Sequence, residues 1–226
     1  MDRNAEALAP LRLLWVGNSH TTGFDVPGKL KGLAPVPVVN RVLAAGGLSL
    51  GEHLEGKRLR HLLAADPPWN RLILQERSWV AMVAPHALID ALDALFQGPL
   101  ARREAAVVLC QNWAFSPRHA RYYRLLPQET PQGVQRRLDG LFKALAERFG
   151  VAVAPVGHAI AQGHDPGAEV SLVADDGSHL SPQGATVAAL VIHHTLFGHL
   201  PPPTAHNEAL WALAQTGCRA YGAPSP

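Results

Sequence analysis

Cysteine is nearly absent: Cys110 and Cys218 are the only two in 226 residues. Two isolated cysteines make neither a disulfide framework nor a metal-binding pattern, and they suit a reducing compartment. Charge is scarce as well, at 17% Asp, Glu, Lys and Arg, and balanced, with twenty basic against eighteen acidic residues. A formal charge of +2 selects neither nucleic acid nor an anionic membrane as partner. No apolar run approaches the ~20 residues that span a bilayer. No basic leader with a small-residue cleavage site precedes the first apolar run at Leu11, so a cytoplasmic protein without an export signal is expected. "VGNSHTTG" lacks the glycine spacing of both GxGxxG and GxxxxGK[ST], which disfavours a nucleotide-binding α/β protein. There is no internal repeat and no long low-complexity segment.

What the chain does have is apolar sequence, 47% of it, enough to bury one sizeable core, and a single domain over 1–226 is expected. Five apolar runs read as strands: Leu11 to Gly17, Val36 to Gly46, Arg71 to Glu76, Ala105 to Trp113 and Val151 to Gly157. Their near-continuous hydrophobicity fits strands covered on both faces. Between them lie amphipathic stretches. In "PQGVQRRLDGLFKALAERFG", Val134, Leu138, Leu141, Phe142, Leu145 and Phe149 fall on one helical face, with Gly150 placed to end the helix. "SPQGATVAALVIHHTLFG" opens with Ser181 as N-cap and Pro182 at the first helical position, and closes on Gly198. Repeated strand–helix alternation predicts an α/β fold: a three-layer α/β/α sandwich around a central five-stranded parallel sheet with right-handed crossovers. The core spans about 11–198. After Pro201–Pro203, a last helix near "NEALWALAQ" and a tail, "YGAPSP", expected to fray, make up 204–226.

In such sheets functional groups gather at the carboxyl ends of the strands. Those ends carry Asn18, Ser19, His20 and Thr21 after the first run, Gly46 and Gly47 after the second, Gln75, Glu76, Arg77 and Ser78 after the third, and Gln111, Asn112 and Trp113 after the fourth. Further along, "ADDGSHLSPQG" sets Asp176 three residues before His179. A turn through Gly177 lets the carboxylate accept from one ring nitrogen and leaves the other free as a base. Taken alone, the same residues read more readily as turn chemistry beside a surface histidine. His193, His194 and His199 have no acidic or cysteine partner at ligand spacing, and no metal is expected.

The order GNSHT, AGGLS, LQERS, DDGSHLSPQG resembles the SGNH (GDSL-like) hydrolase superfamily, in a branch that reads GNS and LQE. The resemblance runs from Leu11 to about Gly198 and implies a flavodoxin-like strand order, no cofactor, and a site at the strand ends. It makes Ser19 the nucleophile and Asp176 and His179 its partners. The oxyanion donors it implies are the Ser19 N–H, the N–H of Gly46 or Gly47, and Gln75 where relatives carry Asn. GNS also replaces the usual GDS.

A serine hydroxyl needs a base in reach and donors where charge develops. His179 would take the Ser19 proton and return it to the leaving alkoxide, with Asp176 orienting the ring. Position 21 is Thr, so this is not the GxSxG elbow. "FDVPGKLKGL" starts its helix near Asp25 to Pro27, which puts Ser19 on a loop. His20 lines the pocket or faces solvent. "SPRHARYYRLLP" reads as a solvated loop or a pocket rim, in which Arg118 would hold an anionic or sugar-like substrate. Trp113 packs against substrate or plugs the sheet end. The expected function is a serine esterase acting on a small-molecule or carbohydrate ester, removing an acyl group such as acetyl. An acyltransferase and a catalytically silent binding protein stand as alternatives. No nucleic-acid or membrane partner is expected, and the oligomeric state is left open.

Overall fold

The computed structural model describes residues 9–101, 105–164 and 170–221. β1 (Leu11–Gly17) leads into α1 (Ser19–Thr22), a 3-10 turn (Gly23–Asp25) and α2 (Val26–Leu33). β2 (Val38–Ala44) is followed by α3 (Leu50–Glu55) and α4 (Lys57–Leu63), and β3 (Arg71–Leu74) by α5 (Ser78–Val83) and α6 (Pro85–Gln97). β4 (Ala106–Cys110) precedes α7 (Ala120–Leu125) and α8 (Pro131–Phe149), and β5 (Ala152–Ala154) precedes α9 (Val156–Ala161). α10 (Pro182–Phe197) and α11 (Glu208–Tyr221) complete the described chain.

The five strands form one parallel sheet in the order β2-β1-β3-β4-β5. Because strand side chains alternate between faces, each apolar run divides between two cores. Leu14, Val16, Leu72, Leu74, Val107 and Leu109 meet Leu92 of α6 and Phe142 of α8 on one side. Leu13, Trp15, Ile73, Val108 and Cys110 meet Leu30 of α2 and Leu190 of α10 on the other. Both faces are covered, which is why the runs lack the polar alternation of a half-exposed sheet. The chain runs from β1 outward to β2, then back across β1 to β3. In such sheets that reversal marks the usual ligand position, beyond the carboxyl end of β1.

Two helices form as their sequences predict. Thr130 caps α8 by accepting from the Gly133 N–H, and Gly150 ends it in the left-handed region at φ 59. Leu141 and Phe149 are only partly buried on its apolar face. Ser181 caps α10 through the Gly184 N–H at 3.0 Å, and Gly198 closes it at φ 77.

The strands are shorter than the apolar runs. β4 stops at Cys110, and Gln111, whose N–H still donates to the Ala154 carbonyl at 3.0 Å, Asn112 and Trp113 continue beyond it fully buried. α11 packs against α9 and α10, with Ala214, Cys218 and Tyr221 buried, so it closes a layer of the core that the sequence places within 11–198. Residues 222–226, most of the tail expected to fray, lie outside the described residues. Burial pushes both cysteine thiols up to about 12, which leaves them unreactive at neutral pH. Among the described residues no helix is long and apolar enough to cross a membrane.

Candidate active site

At the end of β1 the backbone turns directly into α1. Asn18 is extended and caps this single turn, its Oδ1 accepting from the His20 N–H at 3.1 Å. Ser19, expected on a loop, is the first helical residue instead. The cap stabilises a turn whose four residues, Ser-His-Thr-Thr, have little helix propensity of their own. The first N–H of a helix has no partner within it, and among the described residues the Ser19 N–H donates to nothing. The Asn18 Nδ2 donates to the Leu48 carbonyl at 3.2 Å. An aspartate could not make that bond, so Asn in place of Asp ties the β1 end to the loop after β2.

The Ser19 hydroxyl lies 2.9 Å from His179 Nε2, and His179 Nδ1 lies 2.5 Å from Asp176 Oδ2. The other carboxylate oxygen accepts from the Ser178 and His179 N–H groups at 2.8 and 2.9 Å. Burial alone would raise the Asp176 carboxyl, but these hydrogen bonds outweigh it and hold it at about 2. Gly177 allows the turn: its φ is 73, and a Cβ there would lie 2.5 Å from the His119 backbone nitrogen. Asp175 projects into solvent and pairs with Arg118 at 3.2 Å. Arg118, in the loop before α7, therefore sits against the outer edge of the turn that carries the pair.

The loop after β2 is pinned from below. Gly47 takes φ 74 in a turn closed by the Leu48 N–H on the Ala45 carbonyl at 3.2 Å, a conformation that favours glycine, whereas Gly46 does not need it. Among the described residues the Gly47 N–H, like that of Ser19, donates to nothing. Arg77 Nη1 donates to the Gly47 carbonyl at 3.0 Å. Buried Glu76 accepts from the Leu50 N–H at 3.3 Å and the Arg77 N–H at 2.6 Å, and burial raises its carboxyl. His53 Nε2 reaches the Gly17 carbonyl at 2.7 Å. Ser49 and Glu52 close a capping box on the same helix, α3.

Gln75 is buried at the end of β3, its Oε1 accepting from the Thr21 hydroxyl at 2.6 Å. That bond leaves the NH₂ as the donor end of the amide. His20 does not face solvent: it is buried, stacked on His179 and edge-on to Trp113. Trp113, offered as a substrate contact or a sheet-end plug, is fully buried, and its indole N–H donates to the Ser178 carbonyl at 2.7 Å. It is a plug that braces the turn before His179. Nor is "SPRHARYYRLLP" a solvated loop: 120–125 is α7, Tyr122 is fully buried, and the Tyr123 hydroxyl donates to the Phe115 carbonyl at 2.6 Å. Among the described residues no three His, Cys, Asp or Glu side chains are grouped to hold a metal ion.

Sequence reasoning missed the clamp formed by Asn18, His53, Glu76 and Arg77. One local signal was present, the Ser49-x-x-Glu52 capping box, which marks α3 as starting immediately after the glycine loop.

No known family profile matches the sequence, and no curated protein does either. Solved structures do match. A candidate SGNH hydrolase from Slackia heliotrinireducens is 28% identical, with a TM-score of 0.71 over 83% of this chain and 100% of that one. A DUF4886 family protein from Bacteroides uniformis is 18% identical, with a TM-score of 0.73 over 96% and 98%. An acetyl xylan esterase from Geobacillus stearothermophilus is 13% identical, with a TM-score of 0.58 over 85% and 97%. The fold is the one that these solved structures share, and the chain belongs to the SGNH (GDSL-like) hydrolase superfamily.

Proposed function

We propose that the protein is a serine esterase that removes a small acyl group, such as acetyl on a carbohydrate, through an acyl-enzyme. The observation that carries this is the continuous chain Ser19 Oγ, His179 Nε2, His179 Nδ1, Asp176 Oδ2. As the Ser19 oxygen bonds to the acyl carbon, its proton passes to Nε2. Collapse of the tetrahedral intermediate breaks the bond to the alcohol, which leaves with that proton. Water then repeats the sequence on the acyl-enzyme: its proton goes to His179, its oxygen to the acyl carbon, and the proton returns to Ser19.

A small acyl group is supported by one protein of the same fold, which is an acetyl xylan esterase. A fluorophosphonate should label the protein on the peptide carrying Ser19, and p-nitrophenyl acetate should be cleaved faster than the octanoate. Absence of labelling, or labelling elsewhere, would overturn the reading.

For the oxyanion we assign the N–H groups of Ser19 and Gly47 together with the Gln75 amide. Losing one such donor costs about 10²–10³ in kcat. Gln75→Leu, close in size but without the amide, is therefore expected to lower kcat and kcat/KM together at nearly constant KM. A folded Gln75→Leu protein with full kcat leaves a hole of two donors.

A further inference from the structure

His20 is a buried titratable group for which proton transfer along the triad has no use. It is 8% exposed, and its Nδ1 has no hydrogen-bond partner among the described residues. Among the described residues, its side-chain contacts are made by the ring faces and edge. One face lies over His179, with centroids 4.8 Å apart and planes 15° from parallel. Trp113 meets it at 4.8 Å and 69°. The same Trp113 holds the Ser178 carbonyl, one residue before His179. Consecutive residues of α1 thus meet the same histidine in two ways: Ser19 at its edge through Nε2, His20 across its face.

We propose that His20 is a positioning residue, an aromatic platform that holds the His179 ring in line between Ser19 and Asp176 and stabilises the positive charge arriving there with the Ser19 proton. The proposal rests on the reading of Ser19, His179 and Asp176 as catalytic. A buried nitrogen without a partner is costly, so a hydrogen bond at Nδ1 is not what keeps the ring in place. Burial, reinforced by nearby His179 and only partly opposed by Asp176, lowers the His20 ring to about 3, and it stays uncharged at neutral pH. Its π face is then available to an imidazolium within ~6 Å, a contact that multiplies a rate by about 2- to 30-fold. His20 itself neither gains nor loses a proton. The Ser19 proton goes to His179 Nε2 and then to the leaving alkoxide.

The test compares His20→Leu and His20→Phe with wild type and Ser19→Ala. It reads kcat and KM on p-nitrophenyl acetate, thermal unfolding, and the far-downfield proton resonance of the His179–Asp176 hydrogen bond. His20→Leu should lower kcat about 2- to 30-fold with KM little changed, and should broaden that resonance as the ring loosens. His20→Phe should recover most of the loss and sharpen the resonance, a rescue that simple space-filling by Leu would not need. If His20→Leu fails to fold, His20→Met takes its place. Wild-type kcat in the aliphatic variant, or an equal loss with Phe, overturns the platform alone, provided Ser19→Ala is inactive. A Ser19→Ala protein with wild-type turnover overturns the triad and the platform together.

Discussion

Replacing Ser19 by alanine is expected to lower turnover of p-nitrophenyl acetate by on the order of 10⁶-fold and to abolish fluorophosphonate labelling. The protein should stay folded. Ser19 is only half-buried, and its hydroxyl makes one described side-chain contact, to His179, so its loss should cost no more than about 1 kcal/mol of stability. The size of the kinetic loss follows from the roles assigned to the triad. Without the hydroxyl there is no acyl-enzyme, and His179 and Asp176 have no proton to move. Adding His179→Ala to Ser19→Ala should therefore change the residual rate little, because residues that act as one unit are not additive. Turnover that survives in a folded Ser19→Ala protein would remove the serine from the mechanism. A double variant much slower than the single one would show that His179 works for some other group.

The features legible in the sequence are those whose cause is local or periodic. The five apolar runs are visible because strands covered on both faces need no polar alternation, and the division of Leu13 and Trp15 from Leu14 and Val16 follows from the pleat alone. α8 carries its stop, Gly150, and α10 both its cap and its stop, Ser181 and Pro182 with Gly198, in adjacent residues. The contact between Asp176 and His179 is legible for the same reason: the two residues are three apart around a glycine turn.

Features set by partners distant in the chain were not legible. Nothing local says that Glu76 will accept from Leu50, 26 residues away, or Arg77 donate to Gly47, 30 residues away. Burial of Glu76 looks unfavourable in isolation, and only the N–H groups waiting at the start of α3 and at Arg77 make it tolerable. α1 is a comparable case. Its residues favour no helix, and it exists because Asn18 caps it and the Thr21 hydroxyl is taken up by Gln75. Trp113 has the composition of a substrate contact. Its indole N–H found a backbone carbonyl 65 residues on, and that turned it into a brace.

Asp176 and Asp175 stand side by side, and their substitution should separate them by orders of magnitude. Asp176→Asn keeps the shape but presents an NH₂ to His179 Nδ1, which forces the wrong tautomer on the ring. Loss of the orienting carboxylate in this way costs about 10⁴ in kcat. Asp175→Asn removes only an exposed pairing with Arg118, a contact worth at most about 1 kcal/mol, and kcat should stay within a few-fold of wild type. Equal losses would mean that the wrong carboxylate has been placed on the histidine. The same pair predicts a stability signature in acid. The Asp176 carboxyl is lowered from 3.8 to about 2 in the folded chain. A depressed carboxyl favours the folded state above its unfolded pKa, and that contribution is lost as pH falls through the folded value. The difference in stability between wild type and Asp176→Asn should thus be fully present above pH 3.8 and fade toward about pH 2. Its amplitude will be modest, because the side chain is half-exposed and solvent screens it. Denaturant melts, not rates, are the measurement to use, since the base must be unprotonated to turn over at all. A difference that stays constant from neutral pH down to pH 2 would show that the carboxylate owes its place to packing rather than to charge.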